Sequence, residues 1–215
     1  MSDESKAREE ICRLARSLFD RGLTNGSSGN ISARIEGGFL VTPTGASFGS
    51  LDPAQLTKLG SDFAYVEGDK PTKELPLHSA FYDTRGAKTG AVVHLHSTHS
   101  VAVSMLPEID ADCVFEPLTA YSVMRLGKVK LLPYFRPGDP AMGEAVRGLV
   151  GKRSSVLLAN HGPVVAAKDL QAAVYAAEEL EEVARLTLLT RNLGALPLSE
   201  RAVVDLRRHF EIDWE

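Results

Sequence analysis

Ala91-Val92-Val93-His94-Leu95-His96-Ser97 is the stretch that decides the fold: three apolar residues run into two histidines spaced i, i+2. Side chains of a β-strand alternate faces, so residues i and i+2 project from one face roughly 6.5–7 Å apart. Two imidazoles at that spacing can converge on one metal ion lying between and above them. A divalent ion takes more than two ligands. The rest of the chain must supply the others.

Working outward, Leu75 to Arg85 predicts a helix before this strand, and Thr98 to Met105 predicts one after it. Upstream, Ile31–Ile35 and Phe39–Thr42 form a hairpin around Glu36-Gly37-Gly38. Asp52-Pro53 reads as a cap and first turn opening a short helix through Leu59, and Phe63–Val66 as a strand. Ala7, Ile11, Leu14, Ala15, Leu18 and Phe19 repeat at helical spacing up to a stop at Gly22. Downstream, Val129–Leu132 is a short strand, and Asp139-Pro140 caps a helix reaching Val150. Ser155–Ala159 is a buried strand ending at Asn160-His161-Gly162, and Val164–Ala166 resumes an extended path. A long helix spans Asp169 to Asn192, and a last one spans Ser199 to His209, before an aromatic tail of Phe210, Ile212 and Trp214. Pro107 to Arg125 shows no clear pattern. Helices around hairpin and single strands, without a βαβ rhythm, predict a three-layer α/β/α fold with a mainly antiparallel central sheet.

The 215 residues, free of repeats and linkers, suit a single domain over 1–215. Hydrophobic content of 44% and charge of 24% are those of a soluble globular protein. A net charge of −4 argues against nucleic acid, and no apolar run approaches the ~20 residues of a membrane span. The polar start Met1-Ser2-Asp3-Glu4 is no signal peptide, and Cys12 and Cys113 make no disulfide framework. A cytoplasmic location is expected.

His161 ends a second apolar strand. Three histidines at strand ends match a catalytic zinc site with its fourth position open, although a lone His-x-His is as often a polar strand edge. Glu74 sits at a helix start, where a carboxylate usually only meets the helix dipole. Beside a metal it would transfer protons or fill the open position. Ser28-Gly29-Asn30, Thr44-Gly45 and Thr72-Lys73 are each ordinary turns alone. Together they suggest a phosphate cradle of backbone N–H groups, hydroxyls and one lysine.

Ser28-Gly29-Asn30-Ile31-Ser32, Thr42-Pro43-Thr44-Gly45, Pro71-Thr72-Lys73-Glu74, His94-Leu95-His96 and Ala159-Asn160-His161-Gly162 follow the order of the class II aldolase/adducin family, which the chain resembles from about Arg8 to Leu193. The resemblance implies a zinc enzyme on an α/β/α fold, usually a four-fold homotetramer with active sites at subunit interfaces. It implies that His94, His96 and His161 bind one Zn2+ per subunit, with Glu74 as acid/base and ligand of the resting metal. Gly29, Asn30, Thr44, Gly45, Thr72 and Lys73 would hold substrate phosphate, and Tyr121 is the candidate for a tyrosine lent by a neighbouring subunit.

Two departures narrow the activity. The sugar-phosphate aldolases of the family carry Ser-Ser-Glu where this chain has Thr72-Lys73-Glu74, and the epimerases carry aspartate in place of Glu74. The Lys-Glu pair, with His94-Leu95-His96-Ser97-Thr98-His99-Ser100, resembles the branch that decarboxylates 3-oxo-tetronate 4-phosphates. That branch implies release of carbon dioxide through a metal-stabilised enediolate, leaving a keto-triose phosphate. The alternatives are an L-fuculose-1-phosphate-type aldolase giving dihydroxyacetone phosphate and an aldehyde, and a non-enzymatic adducin-like interaction module. Retention of three histidines and Glu74 favours an enzyme. Among the remaining polar residues, His99 is expected to support the site without ligating. His78, i+4 from Glu74, is expected to pack or face solvent, His209 to be solvated, and Trp214 to anchor packing.

Overall fold

A computed structural model describes residues 2–210 and 212. In chain order the elements are α1 (Asp3–Asp20), β1 (Asn30–Ile35), β2 (Gly38–Val41), β3 (Thr57–Gly60), β4 (Tyr65–Glu67), α2 (Leu75–Arg85), β5 (Ala91–His94) and α3 (Thr98–Val103). There follow α4 (Ala120–Leu126), β6 (Lys130–Leu132), α5 (Ala141–Arg147), β7 (Ser155–Leu158), β8 (Gly162–Ala167), α6 (Leu170–Thr190) and α7 (Glu200–Phe210). The strands form one sheet in the order β4-β3-β2-β1-β5-β8-β7-β6. The histidine strand, β5, lies near its middle, between β1 and β8.

Alternation along β5 sorts the two faces. Ala91, Val93 and Leu95 enter a core shared with Ile11, Leu14 and Leu18 of α1 and Val174, Ala177 and Leu180 of α6. Val92 points the other way, into a core with Leu77 and Phe81 of α2 and Met142 and Val146 of α5. His94 has the parity of Val92, so it emerges on the α2 side. Ile11 and Leu18 are fully buried, each contributing about 1.5–3 kcal/mol.

The sheet is mixed rather than simply antiparallel: β6 and β7 pair in parallel, while the other pairings are antiparallel. Parallel neighbours need a crossover connection, and α5 lies in the crossover between them. The helix expected from Asp52 through Leu59 is corrected to a single 3₁₀ turn, Pro53–Gln55, followed by β3. Asp52 does cap that turn, accepting from Ala54 N at 2.9 Å. Beyond it, Thr57 and Leu59 alternate with Lys58 and bury against β2, so strand pairing ends the helical turn. The strand expected at Phe63 starts two residues later: Phe63 adopts φ 64° and stacks its ring on Phe39 at 4.3 Å. The unassigned Pro107–Arg125 stretch holds α4, whose cap Thr119 accepts from Ser122 N. His209 is exposed on α7, as expected, and Trp214 lies outside the described residues.

Candidate metal centre

β5 ends at His94, one residue pair from β1 on one side (Asn30) and β8 on the other (Val164). The His94 Nδ1–H donates to the Pro163 carbonyl at 2.9 Å. That bond fixes the tautomer and leaves the Nε2 lone pair facing outward. His96 lies two residues on, just past the strand, with its Nε2 at 3.1 Å from His94 Nε2. The third histidine comes from a three-residue turn, Ala159-Asn160-His161, between β7 and β8. Asn160 takes φ 57°, a left-handed conformation that asparagine tolerates. Gly162 follows at φ 153°, where a Cβ would meet the Leu95 carbonyl oxygen at 2.1 Å. Only glycine lets this turn lie against the His94–His96 segment.

The three imidazoles sit with ring centroids 4.7–4.9 Å apart, and their ligating nitrogens lie within 4.8 Å of one another. Glu74, the cap residue of α2, closes the group: Oε2 is 3.3 Å from His94 Nε2, and Oε1 is 3.4 Å from His161 Nε2. Burial pushes His94 down to about 4 and also lowers His96 and His161, so all three are neutral near pH 7. Burial works to raise the Glu74 carboxyl, but His94, the Asn30 hydrogen bond and His161 together hold it below its ordinary value. The cluster is therefore one anion and three neutral imidazoles. Glu74 Oε1 and both ring nitrogens of His161 are buried without a hydrogen-bond partner among the described residues. Unpaired buried groups of this kind cost about 1–3 kcal/mol each. Three imidazole nitrogens and a carboxylate oxygen with lone pairs converging are a donor set that fits a divalent transition metal, Zn2+ included.

Beside the cluster lies a cleft of about 160 Å³. Gly29, Asn30, Thr44, Gly45, Thr72, Lys73, Glu74 and His96 all line it, so the structure brings the expected phosphate loops to the metal group. Gly29, at φ 84°, passes so near β5 that a Cβ would stand 2.9 Å from the His94 carbonyl oxygen. A bridge from Pro43 to Pro71, with Thr44 N donating to Lys70 O at 2.9 Å, ties the second loop to the third. Thr72 Oγ1 accepts from Glu74 N at 3.3 Å. Sequence reasoning missed Pro137 and Gly138, which also line the cleft, with Gly138 packed against Lys73. Their Pro-Gly dipeptide is the turn signal that could have found them.

Two residues stand elsewhere. Tyr121 is exposed on α4 and lines a separate cavity of about 710 Å³ with His99, Arg125 and Tyr175. His99 lies outside the cluster formed by His94, His96 and His161, and its Nδ1–H donates to Glu181 Oε1 at 2.7 Å. His78, expected to pack or face solvent, is fully buried and hydrogen-bonded at both ring nitrogens.

Comparison with known proteins supplies the family. The chain is 46% identical over 220 residues to the 3-oxo-tetronate 4-phosphate decarboxylase of Cupriavidus necator, covering 100% of both. It is 34% identical over 185 residues to the L-fuculose phosphate aldolase of Methanococcus maripaludis, covering 86% of this chain and 96% of that one. The crystal structure of YgbL from Escherichia coli superposes with a TM-score of 0.93 at 42% identity, covering 96% of this chain and 100% of that one. Residues 9–188 match the Class II Aldolase and Adducin N-terminal domain, and the chain belongs to that family.

Proposed function

We propose that the protein is a zinc-dependent decarboxylase of a 3-oxo-tetronate 4-phosphate, releasing carbon dioxide and a keto-triose phosphate. The observation that carries this reading is Oε1 of Glu74, buried without a hydrogen-bond partner among the described residues and held among three neutral histidines at the wall of a cleft that also contains Lys73. The name of the 46%-identical relative supports the substrate class. His94, His96 and His161 would hold the metal, with Glu74 as a fourth ligand at rest. When bound, the metal supplies Lewis-acid stabilisation of the negative charge that develops on the substrate's carbonyl oxygen. Gly29 and Gly45 let backbone N–H groups approach phosphate, Asn30, Thr44 and Thr72 add donors, and Lys73 brings positive charge to an anionic end of the substrate. Loss of carbon dioxide breaks the carbon–carbon bond and leaves its electron pair on the carbon next to the carbonyl. Glu74, a carboxylate at rest, takes up a proton from solvent and passes it to that carbon, returning to the carboxylate.

The reading includes a single α/β/α three-layer domain, supported by the cores on opposite faces of the sheet. It includes a cytoplasmic homotetramer in which Tyr121 of one subunit reaches a neighbour's cleft, supported by two free cysteines and by the exposure of Tyr121 on α4. A second reading, a sugar-phosphate aldolase, draws on the 34%-identical aldolase relative, because both reactions leave the same carbanion for Glu74 to protonate. Metal-loaded protein is expected to release carbon dioxide from the oxo acid and to stop when a chelator is added. Aldehyde from fuculose 1-phosphate, with no carbon dioxide from the oxo acid, would replace the first reading with the second. Absence of bound divalent metal under metal-replete conditions would favour an adducin-like module over both.

A further inference from the structure

Behind Glu74 a buried chain of hydrogen bonds runs between β1 and α2. Asn30 Nδ2 donates to Glu74 Oε2 at 2.8 Å, and Asn30 Oδ1 lies 2.5 Å from His78 Nε2. His78 Nδ1 lies 2.7 Å from Ser32 Oγ, which in turn is 2.9 Å from Tyr82 Oη. All five residues are buried. Glu74, His78 and Tyr82 recur every fourth residue along α2 and its cap, while Asn30 and Ser32 are i, i+2 on β1. Four helical residues advance about 6 Å and two strand residues about 6.6 Å. The two ladders therefore stay in step for the length of the chain of bonds.

The direction of donation follows from chemistry alone. A carboxylate only accepts, so Asn30 must turn its Nδ2 toward Glu74 and its Oδ1 toward His78. An amide oxygen also only accepts, so the hydrogen of His78 is on Nε2. Burial, reinforced by the nearby His94, pushes His78 down to about 3, so the ring is neutral and Nδ1 holds a lone pair. The Ser32 hydroxyl therefore donates to Nδ1 and accepts from the Tyr82 hydroxyl, which burial keeps protonated. Four donations run one way, Tyr82 to Ser32 to His78 to Asn30 to Glu74, each polarising the next. They end on Oε2. Oε1 has no hydrogen-bond partner among the described residues and lies 3.4 Å from His161 Nε2.

We propose that His78 is a positioning residue: its Nε2–H tautomer locks the Asn30 amide, which ties back Glu74 Oε2 and presents Oε1 to the metal and the substrate carbon. What Oε1 does there rests on the function proposed above; the tautomer and the amide orientation do not. The geometry also changes Asn30, whose side chain is engaged at both ends by Glu74 and His78. Only its second Nδ2 hydrogen is left for substrate phosphate.

Two measurements test this. Long-range ¹H–¹⁵N spectra of the metal-free, full-length protein are expected to show His78 as the neutral Nε2–H tautomer. An Nδ1–H tautomer there overturns the proposal whatever reaction the protein catalyses. In the metal-loaded protein, His78→Leu is expected to lower kcat about 10–100-fold, the range for lost outer-shell partners, with KM within about twofold. His78→Gln, which keeps an N–H donor facing Asn30, is expected to recover most of that loss. Equal losses in the two variants at equal thermal stability would overturn it. If wild-type protein fails to decarboxylate the oxo acid, the proposed function falls while the spectra still decide the tautomer.

Discussion

The cleft beside Glu74 measures about 160 Å³, and the cavity over His99 and Tyr121 about 710 Å³. The larger space is lined by polar groups that have found one another: Arg21 with Glu178, His99 with Glu181, Arg185 with Glu182. Glu181 goes further and caps α3, accepting from the backbone N–H groups of His99 and Ser100 at 2.9 Å each. The smaller space has the opposite character. Its neighbours Glu74 Oε1 and His161 Nδ1 and Nε2 are buried without a hydrogen-bond partner among the described residues. Volume alone would direct attention to the wrong place in a single subunit. Several such atoms converging at one place, with lone pairs of metal-ligating type, are a sharper guide to a ligand site than volume.

That contrast can be broken most directly at the metal group. His94→Ala is expected to abolish stoichiometric metal binding and reduce turnover to background, read by metal analysis and carbon dioxide release. Glu74→Gln keeps the shape, and it is expected to cost about 10²–10⁴-fold in kcat while metal is retained. Normal turnover in Glu74→Gln would erase the distinction between the two cavities. In the large cavity the expected effect is on stability instead. Glu181→Ala removes the cap of α3 and is expected to cost about 1–3 kcal/mol, seen in denaturant unfolding, with turnover per folded molecule falling less than tenfold.

The smallest effect is a pH slope. His78 stays neutral in the fold down to about pH 3, whereas its ordinary value is 6.5. Above pH 6.5 both states are neutral and the group contributes nothing. Below it the unfolded chain takes up a proton that the folded protein refuses, so stability falls as pH falls, by up to about 1.4 kcal/mol per unit. Unfolding of the metal-free protein at pH 7.0 and about one unit below 6.5 should show this, and His78→Gln should reduce the slope.

Much of the site was legible because its chemistry is local in sequence. His94-Leu95-His96, Asn160-His161-Gly162 and Pro71-Thr72-Lys73-Glu74 each carry their residue types in a short run. The fold was less legible where two local signals compete. Asp52-Pro53 does start a helical turn, but the Thr57–Leu59 alternation is too short to announce a strand until β2 lies beside it. Likewise β6 reads as a strand in isolation, yet its parallel pairing is set by the crossover through α5. His78 packs, within what was expected, but its hydrogen-bonded role was hidden for a related reason. Its i+4 spacing from Glu74 is visible, but Asn30 and Ser32 join it only once β1 packs on α2. Tyr121 belongs to a further class: within its own subunit it shows only exposure, and the role proposed for it on a neighbour leaves no other mark there.

The central place of β5 has a kinetic consequence. Ile31 pairs with Val93 across 62 positions, and Val93 with Val165 across a further 72. Such distant pairings form late, after local hairpins and helices have already reduced the search. The histidine cluster is thus expected to assemble near the end of folding, from segments that meet only in the completed sheet. An ion that needs the whole cluster should leave the folding rate nearly unchanged and slow unfolding instead, so the metal would act as a latch on the finished protein rather than a seed for its formation.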